Sequence, residues 1–265
     1  MAGRMPIVTL TTDFGTRDYY VAAMKAALLG VSPKVTIVDV SHEVDAHRIV
    51  HAAVLLRQVA GSFPGGTIHV VVVDPGVGTS RRIIAAQYAQ QVVVAPDNGV
   101  VSLLHRDLPL MQLVEVSNRQ YLAASVSDTF HGRDIFAPVA GHLSRGVPLE
   151  ALGPPARQIE VLDIPQAALD RQGELHGQVL YADHFGNLVT NITRDDLMAL
   201  LRRKAAPQAC LGDRQVGPVV RTYGDVAPGA TAALIGSSDL LELAVCRGRA
   251  VDVLAAGPGA AVTIR

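Results

Sequence analysis

Residues 68–73, Ile-His-Val-Val-Val-Val, constrain the fold more than any other stretch, because apart from His69 they offer no polar side chain to water. A β-branched run of this kind reads as a strand buried on both faces, the condition of a central strand in an α/β sheet covered above and below by helices. The run ends in Asp74-Pro75-Gly76-Val77-Gly78-Thr79-Ser80-Arg81. In open α/β sheets, ligands collect outside the carboxyl ends of the strands. A carboxylate, a glycine turn and a guanidinium at that point make Asp74 and Arg81 candidate site residues. A plainer reading, with Asp74 capping a turn and Arg81 a surface charge, fits this segment taken alone.

Around the central run, residues 7–12, 35–40, 83–86, 92–95 and 113–116 are expected strands. Residues 19–29, 46–59, 100–105 and 134–145 carry helical spacing. The alternation predicts a three-layer α/β domain built on a mostly parallel sheet. Gly153-Pro154-Pro155 and the apolar-poor stretch to Pro165 read as a linker, placing a boundary near residue 165 between an N-terminal domain (1–165) and a C-terminal one (166–265). Beyond it, short strand candidates at 174–182, 188–192, 215–222, 231–235, 251–254 and 262–264 suggest a small β-barrel or sandwich. A helix over 194–202, capped by Thr193, interrupts them.

Composition excludes several classes. The 23 basic and 24 acidic residues nearly cancel, and there is no lysine-rich run, so nucleic acid is not an expected partner. With no Trp, five Phe and six Tyr there is little material for a base-stacking platform. Cys210 and Cys246 lack any metal or redox spacing and read as buried thiols in a reducing compartment. No stretch has the length of a membrane span, and a strand pattern begins by residue 7 without a signal-peptide core, so a cytoplasmic location is expected.

Several constellations could carry chemistry. Asp13, with Phe14 and Gly15, follows the first expected strand, and Asp18 precedes a helix; a carboxylate there can take two ribose hydroxyls, or simply cap a turn. The glycines of residues 74–79 do not complete a phosphate-binding pattern. His131, within Phe130-His131-Gly132-Arg133-Asp134, opens the helix over 134–145, where a histidine can orient or shuttle a proton. His47 and His51 stand four apart on the expected helix, but no third ligand has suitable spacing, so no metal site is expected. Asp183-His184-Phe185-Gly186-Asn187 groups an acid, an aromatic ring and an amide around one turn, able to recognise an amino group and a flat base. Ser237, Ser238 and Glu242 follow the strand at 231–235, where hydroxyls could receive a carboxylate.

In order, the segments TLTTDFGTRDYYV, VDPGVGTSRR, APDNGV, TFHGRDIFAP, DHFGNLVTNI and SSDLLELA resemble the S-adenosyl-L-methionine hydroxide adenosyltransferase family, whose relatives include the halide-using fluorinase and chlorinase. The resemblance runs from about residue 7 to about residue 250. It implies an N-terminal α/β domain joined to a smaller C-terminal β-barrel, a homotrimer with sites between neighbouring subunits, and hydrolysis of S-adenosyl-L-methionine to adenosine and L-methionine without a cofactor. It implies that Asp74, Arg81 and His131 handle water; on chemical grounds Asp74 and His131 are expected to bind and deprotonate it while Arg81 keeps Asp74 ionised and aimed. Asp13 would hold the ribose, Phe185 and Asn187 would place adenosine, and Asp183, Ser237 and Glu242 would lie near the methionine or adenine ends. Phe14, Asp18, Tyr20, Phe130 and Val245 complete the implied binding set.

The halogenases have Tyr where Asp74 stands, the fluorinase has Ser where Gly132 stands, and its added loop is matched here only by the short connection at 88–91. These differences favour water over halide. A halide-dependent adenosyl transferase and a non-catalytic S-adenosyl-L-methionine or adenosine sensor are the alternatives. Arg82 beside Arg81 leaves open which guanidinium meets Asp74, and Ser238, Asp239, Cys246 and Arg247 depart from the halogenase pattern near the methionine carboxylate and the adenine.

Overall fold

The structure, a computed structural model, describes residues 5–265; residues 1–4, part of the stretch in which no signal-peptide core was read, lie outside it. The chain divides into two compact units, the first ending at Leu162 and the second running from Asp163 to Arg265.

In the first unit the elements are β1 (Ile7–Thr12), α1 (Tyr20–Val31), β2 (Thr36–Ser41), α2 (Ile49–Ala60), β3 (Ile68–Val72), β4 (Ile83–Tyr88), β5 (Gln91–Pro96), α3 (Ser102–Asp107), β6 (Leu110–Glu115) and α4 (Ala137–Ser144). The sheet order is β2-β1-β3-β5-β4-β6, parallel from β2 through to β5, with β4 antiparallel to both of its neighbours. Alternation along β3 sends Val70 and Val72 into a core with Met24 and Leu28 of α1 and Val139 of α4, and Val71 into a second core with Ala52 and Leu56 of α2. Three layers result. His69, the one polar residue of the run, lies opposite Thr9 of β1, whose hydroxyl is 2.8 Å from His69 Nδ1. Burial pushes its pKa down to about 4, so it sits in the sheet uncharged.

This order contains a topological switch point. From β1 the chain moves to β2 on one side, whereas β3 lies on the other, so the loops after β1 and β3 part and leave a crevice at the carboxyl ends. Asp13 follows β1 and Asp74 lies just past β3, on neighbouring strands paired Thr12 to Val72.

The second unit contains β7 (Ala168–Leu169), β8 (Leu175–Ala182), β9 (Leu188–Thr193), α5 (Arg194–Leu201), β10 (Gln208–Leu211), β11 (Arg214–Pro218), β12 (Thr231–Ile235), β13 (Leu240–Val245), α6 (Ala250–Leu254) and β14 (Ala261–Ile264). Seven strands run β11-β10-β14-β8-β9-β13-β12, with β7 paired outside this path to β8. The ends of the path approach each other where Val220 N donates to Ala233 O at 2.8 Å and the Thr231 hydroxyl donates to Val216 O. That seam makes the sheet a nearly closed barrel around Leu175, Leu188, Ile192, Leu241, Leu243 and Ile264. Thr193 caps α5 in a reciprocal capping box with Asp196.

Several local expectations are corrected. Residues 251–254 are helical, in α6, not a strand: an apolar run this short does not distinguish the two, and the backbone of Val251 is taken by Gly186 O outside any ladder. Residues 240–245, read as turn and site sequence, are a fully buried strand between β9 and β12, and β10 was missed because it is only four residues long. The helix expected from residue 46 starts at Ile49, since His47 adopts φ 64°, and α1 continues through Gly30 to Val31. Among the described residues no helix is long and apolar enough to cross a membrane.

A Cβ on Gly217 would lie 2.3 Å from Thr231 O, a backbone atom at the seam. Gly217→Ala is therefore expected to pry β11 from β12 and cost about 1–3 kcal/mol. The check is urea unfolding, where the midpoint falls at an unchanged m-value; an unchanged midpoint would show that the seam does not hold the barrel.

Candidate active site

The crevice at the switch point is a cleft of about 570 Å³ in the first unit. Its wall includes Asp13, Phe14, Tyr20, Asp74, Phe130 and His131, all expected from the sequence. Arg81 supports it from behind. Arg81 Nε donates to Asp74 Oδ2 at 2.8 Å, its Nη2 lies 2.6 Å from the same oxygen, and Nη2 also donates to His131 Nδ1 at 2.6 Å. Arg82 points elsewhere, to Asp97 and to Gln158 O, where it ties the turn after β5 to the segment approaching the unit's end. The structure thus brings Arg81, not Arg82, to Asp74.

The glycine turn makes this possible. Thr79 N and its hydroxyl both donate to Gly76 O, and Gly78 takes φ 79°. A Cβ on Gly78 would lie 2.9 Å from Asp128 O, so the turn packs against the neighbouring loop at a distance only glycine allows. Asn98, in the turn after β5, donates to Val73 O and steadies the strand end that carries Asp74.

His131 is set by an irregular helix start. Residues 132–136 form one π-type turn ahead of α4, a wider turn than the α-helix expected there. Asp134, inside this turn, accepts from the amide and hydroxyl of Ser127 and from two nitrogens of Arg133. Burial would raise its pKa, but the Arg133 and Ser127 hydrogen bonds outweigh it and bring it down to about 2. The ionised carboxylate staples the loop carrying Thr129 and Phe130 to the helix that carries His131.

The hydrogen-bond pattern decides what each group can do. A guanidinium only donates, so His131 Nδ1 accepts, and the neutral ring carries its proton on Nε2. Burial, and then the Arg81 charge, hold the His131 pKa below its ordinary value of 6.5, against a smaller opposing effect of Asp74. Asp74 Oδ2 is occupied by Arg81, whereas Oδ1 is buried and has no hydrogen-bond partner among the described residues. Asp74 therefore keeps one unshared carboxylate oxygen, and His131 one imidazole N–H. Asp13 accepts from His47 N through Oδ2.

Other expected residues fall differently. Asp18 is exposed and does not line the cleft. Tyr19, Ala46, Thr129 and Arg133 do line it and were not expected there, nor was His47, which was weighed only as a metal ligand; Tyr19 stacks on Tyr20 with ring centroids 4.8 Å apart. His47 and His51 do not share a helical face, because His47 precedes α2, and His51 Nδ1 instead lies 3.6 Å from Asp45. A half-buried Asp170 and Glu174 with the exposed His176, near β7, have ligand-like spacing and lie outside the cleft.

The second unit has its own cleft, about 590 Å³, lined by Phe185, Asn187, Tyr223, Val245, Arg247 and Arg249 among others. Asp183 accepts from both the backbone and the side-chain nitrogen of Asn187, closing the turn that exposes Phe185. Below it, Tyr223 donates to the buried Glu242. Burial pushes the Glu242 pKa up, the Tyr223 bond opposes this, and the nearby Asp183 adds to it. Ser237 lies exposed in the turn between β12 and β13 and does not line this cleft. Tyr223 carried no sequence signal, since its place on the wall depends on a turn folded across the barrel.

Family models for the S-adenosyl-L-methionine hydroxide adenosyltransferase N-terminal and C-terminal domains match residues 8–153 and 177–263. The chain is 37% identical to an (R)-S-adenosyl-L-methionine hydrolase of Salinispora tropica, over 96% of this chain and 95% of that protein. It is 29% identical to a fluorinase of Actinopolyspora mzabensis, over 72% and 73% of the two chains. A crystal structure of an uncharacterised conserved protein from Thermotoga maritima superposes with a TM-score of 0.91, at 35% identity, covering 97% of this chain and 99% of that one.

A neutral, Nδ1-accepting His131 has a direct readout. Nitrogen NMR of the imidazole is expected to report the Nε2–H tautomer with a pKa below 6.5, and Arg81→Met is expected to raise that pKa. A proton found on Nδ1 would mean that Arg81 does not make the bond to His131.

Proposed function

Because the chain belongs to the S-adenosyl-L-methionine hydroxide adenosyltransferase family, we propose that it is an S-adenosyl-L-methionine hydrolase and that the Asp74 cleft is where water attacks. Substrate and water become adenosine and L-methionine. The attacking oxygen forms a bond to C5′ as the C5′–S bond breaks, and its electron pair stays on sulfur, neutralising the sulfonium. The leaving group needs no proton, so the protein's task is to position a water opposite sulfur and take its proton. No cofactor is required for this step.

The observation that carries the assignment is the unshared Asp74 Oδ1, buried beside a guanidinium that occupies the other oxygen. Oδ1 is the base. His131, with Nδ1 committed to Arg81, donates from Nε2–H and orients the water instead of deprotonating it. Arg81 fixes both partners. Asp13 receives the ribose hydroxyls at the switch point, beside Phe14, Tyr20 and Phe130. The second cleft, with Phe185, Asn187 and Val245, receives the adenine end of the adenosine portion, and Asp183 and Glu242 lie close to it. We extend the reading to a homotrimer with sites between neighbouring subunits, and to a reducing, cytoplasmic setting that suits two buried, unpaired cysteines.

Three features argue for water over halide. A carboxylate is a base that water needs and a repulsive neighbour for a halide anion. Gly132 fits beneath the Phe14 ring, where a Cβ would lie 3.1 Å from two ring carbons, so this cleft has little room for a side chain at that position. The connection between β4 and β5 is a two-residue turn.

Reaction in ¹⁸O-water without halide tests the proposal: adenosine labelled at its 5′-hydroxyl and released with methionine is expected. Product only after chloride or fluoride is added would move the protein to the halide branch, and binding without turnover would make it a sensor. Asp74→Asn is expected to lower kcat by about 10²-fold or more with KM little changed. Asp13→Ala is expected to act mainly on KM; a fall confined to kcat would remove its ribose role.

A further inference from the structure

We infer that Arg247 is a specificity-determining residue, donating from its guanidinium to a ring-nitrogen acceptor of an aminopurine held in the second cleft. The inference rests on the proposed reading of that cleft and names what recognises the base edge.

The backbone first marks the residue. Gly248 N donates to Val245 O at 3.1 Å, closing a four-residue turn after β13, and Arg247 occupies its third position with φ 55°. That position of such a turn favours glycine, because a Cβ crowds the following carbonyl. The side chain is also available. Arg247 is exposed on the cleft wall, and no hydrogen bond or ion pair reaches its guanidinium among the described residues. Arg249, two residues on, is engaged: it pairs with Asp252, donates to His184 O and packs beneath Gly186, so it belongs to the turn's framework.

The remaining wall defines the ligand class. Phe185 and Tyr223 supply aromatic surface, and the Tyr223 ring is anchored through its hydroxyl to Glu242. One of the two amide hydrogens of Asn187 is committed to Asp183, which fixes the amide and leaves its carbonyl oxygen as an acceptor. An acceptor from Asn187 and donors from Arg247 beside aromatic surface complement a flat heterocycle bearing an amino group and unprotonated ring nitrogens. Adenine has that pattern. A pyrimidine nucleoside offers less stacking area, and an uncharged carbocycle offers no acceptor.

The test is calorimetric binding of adenosine and of its 1-, 3- and 7-deaza analogues to the full-length protein, wild type and Arg247→Met. Arg247→Met is expected to weaken adenosine by about tenfold, the scale of a charge-assisted hydrogen bond. One deaza analogue is expected to lose a similar factor on wild type and nothing further on Arg247→Met, a coupling that a merely structural arginine would not produce. Arg247→Gly is expected to hold or raise Tm while weakening adenosine equally, separating binding from folding. Wild-type affinity in Arg247→Met, or analogue losses identical in both proteins, would overturn the inference. Binding needs no turnover, so coupling found in a protein that fails to hydrolyse S-adenosyl-L-methionine would sustain the role of Arg247 while removing the proposed reaction.

Discussion

The three-way contact of one guanidinium with Asp74 and His131 is the constraint on which the candidate site depends. Arg81 stands just before β4, Asp74 just after β3 and His131 at the start of the π-type turn, so the contact joins a strand end, a glycine turn and a helix start. Both side chains of the Asp74–Arg81 pair are largely buried, and breaking such a pair by removing one partner costs about 3–5 kcal/mol because the other charge is left uncompensated. The same geometry sets the chemistry. With one carboxylate oxygen and one imidazole nitrogen spent on the arginine, what remains is one acceptor and one donor.

The fold explains why these groups meet. A switch point between β1 and β3 separates the loops that follow them, and Asp13 and Asp74 leave adjacent strands at that gap. The opposite wall comes from a helix whose first turn is wound too wide, held by the Asp134 contacts with Ser127 and Arg133. A π-type turn forgoes α-helical hydrogen-bond geometry locally, and such turns recur at functional sites. Here it carries Gly132 beneath Phe14 and His131 toward Arg81 in the same few residues.

In the second unit, the buried Asn187 and Glu242 are each held by a polar partner. Asp183 closes its own turn through Asn187, Tyr223 bonds Glu242, and Glu242 lies beneath Gly236, where a Cβ would meet a carboxylate oxygen at 2.5 Å. Burial together with Asp183 and Glu242 pushes the Tyr181 pKa up to about 12, so its hydroxyl remains protonated. A barrel wall that buries an acid and an amide is costly unless each is bonded, and the bonds to Tyr223 and Asp183 fix the wall of the cleft as a consequence.

By itself the sequence determined what local pattern can determine. The central strand was legible because six residues with a single polar side chain have no stable place except inside a covered sheet. Asp74, Asp13 and His131 were legible because a strand end or helix start is recognisable from its neighbours, and six ordered motifs carried the family resemblance. Tertiary structure decided the rest. Arg81 and Arg82 are adjacent in sequence, and only the packing of β4 sends one to Asp74 and the other to Asp97. Residues 240–245 became a central strand through pairing with β9 and β12, and residues 251–254 a helix, because short apolar runs take the form their neighbours require. The protonation pattern of His131 and the left-handed backbone of Arg247 depend on contacts and turns closed in three dimensions, which no linear spacing encodes.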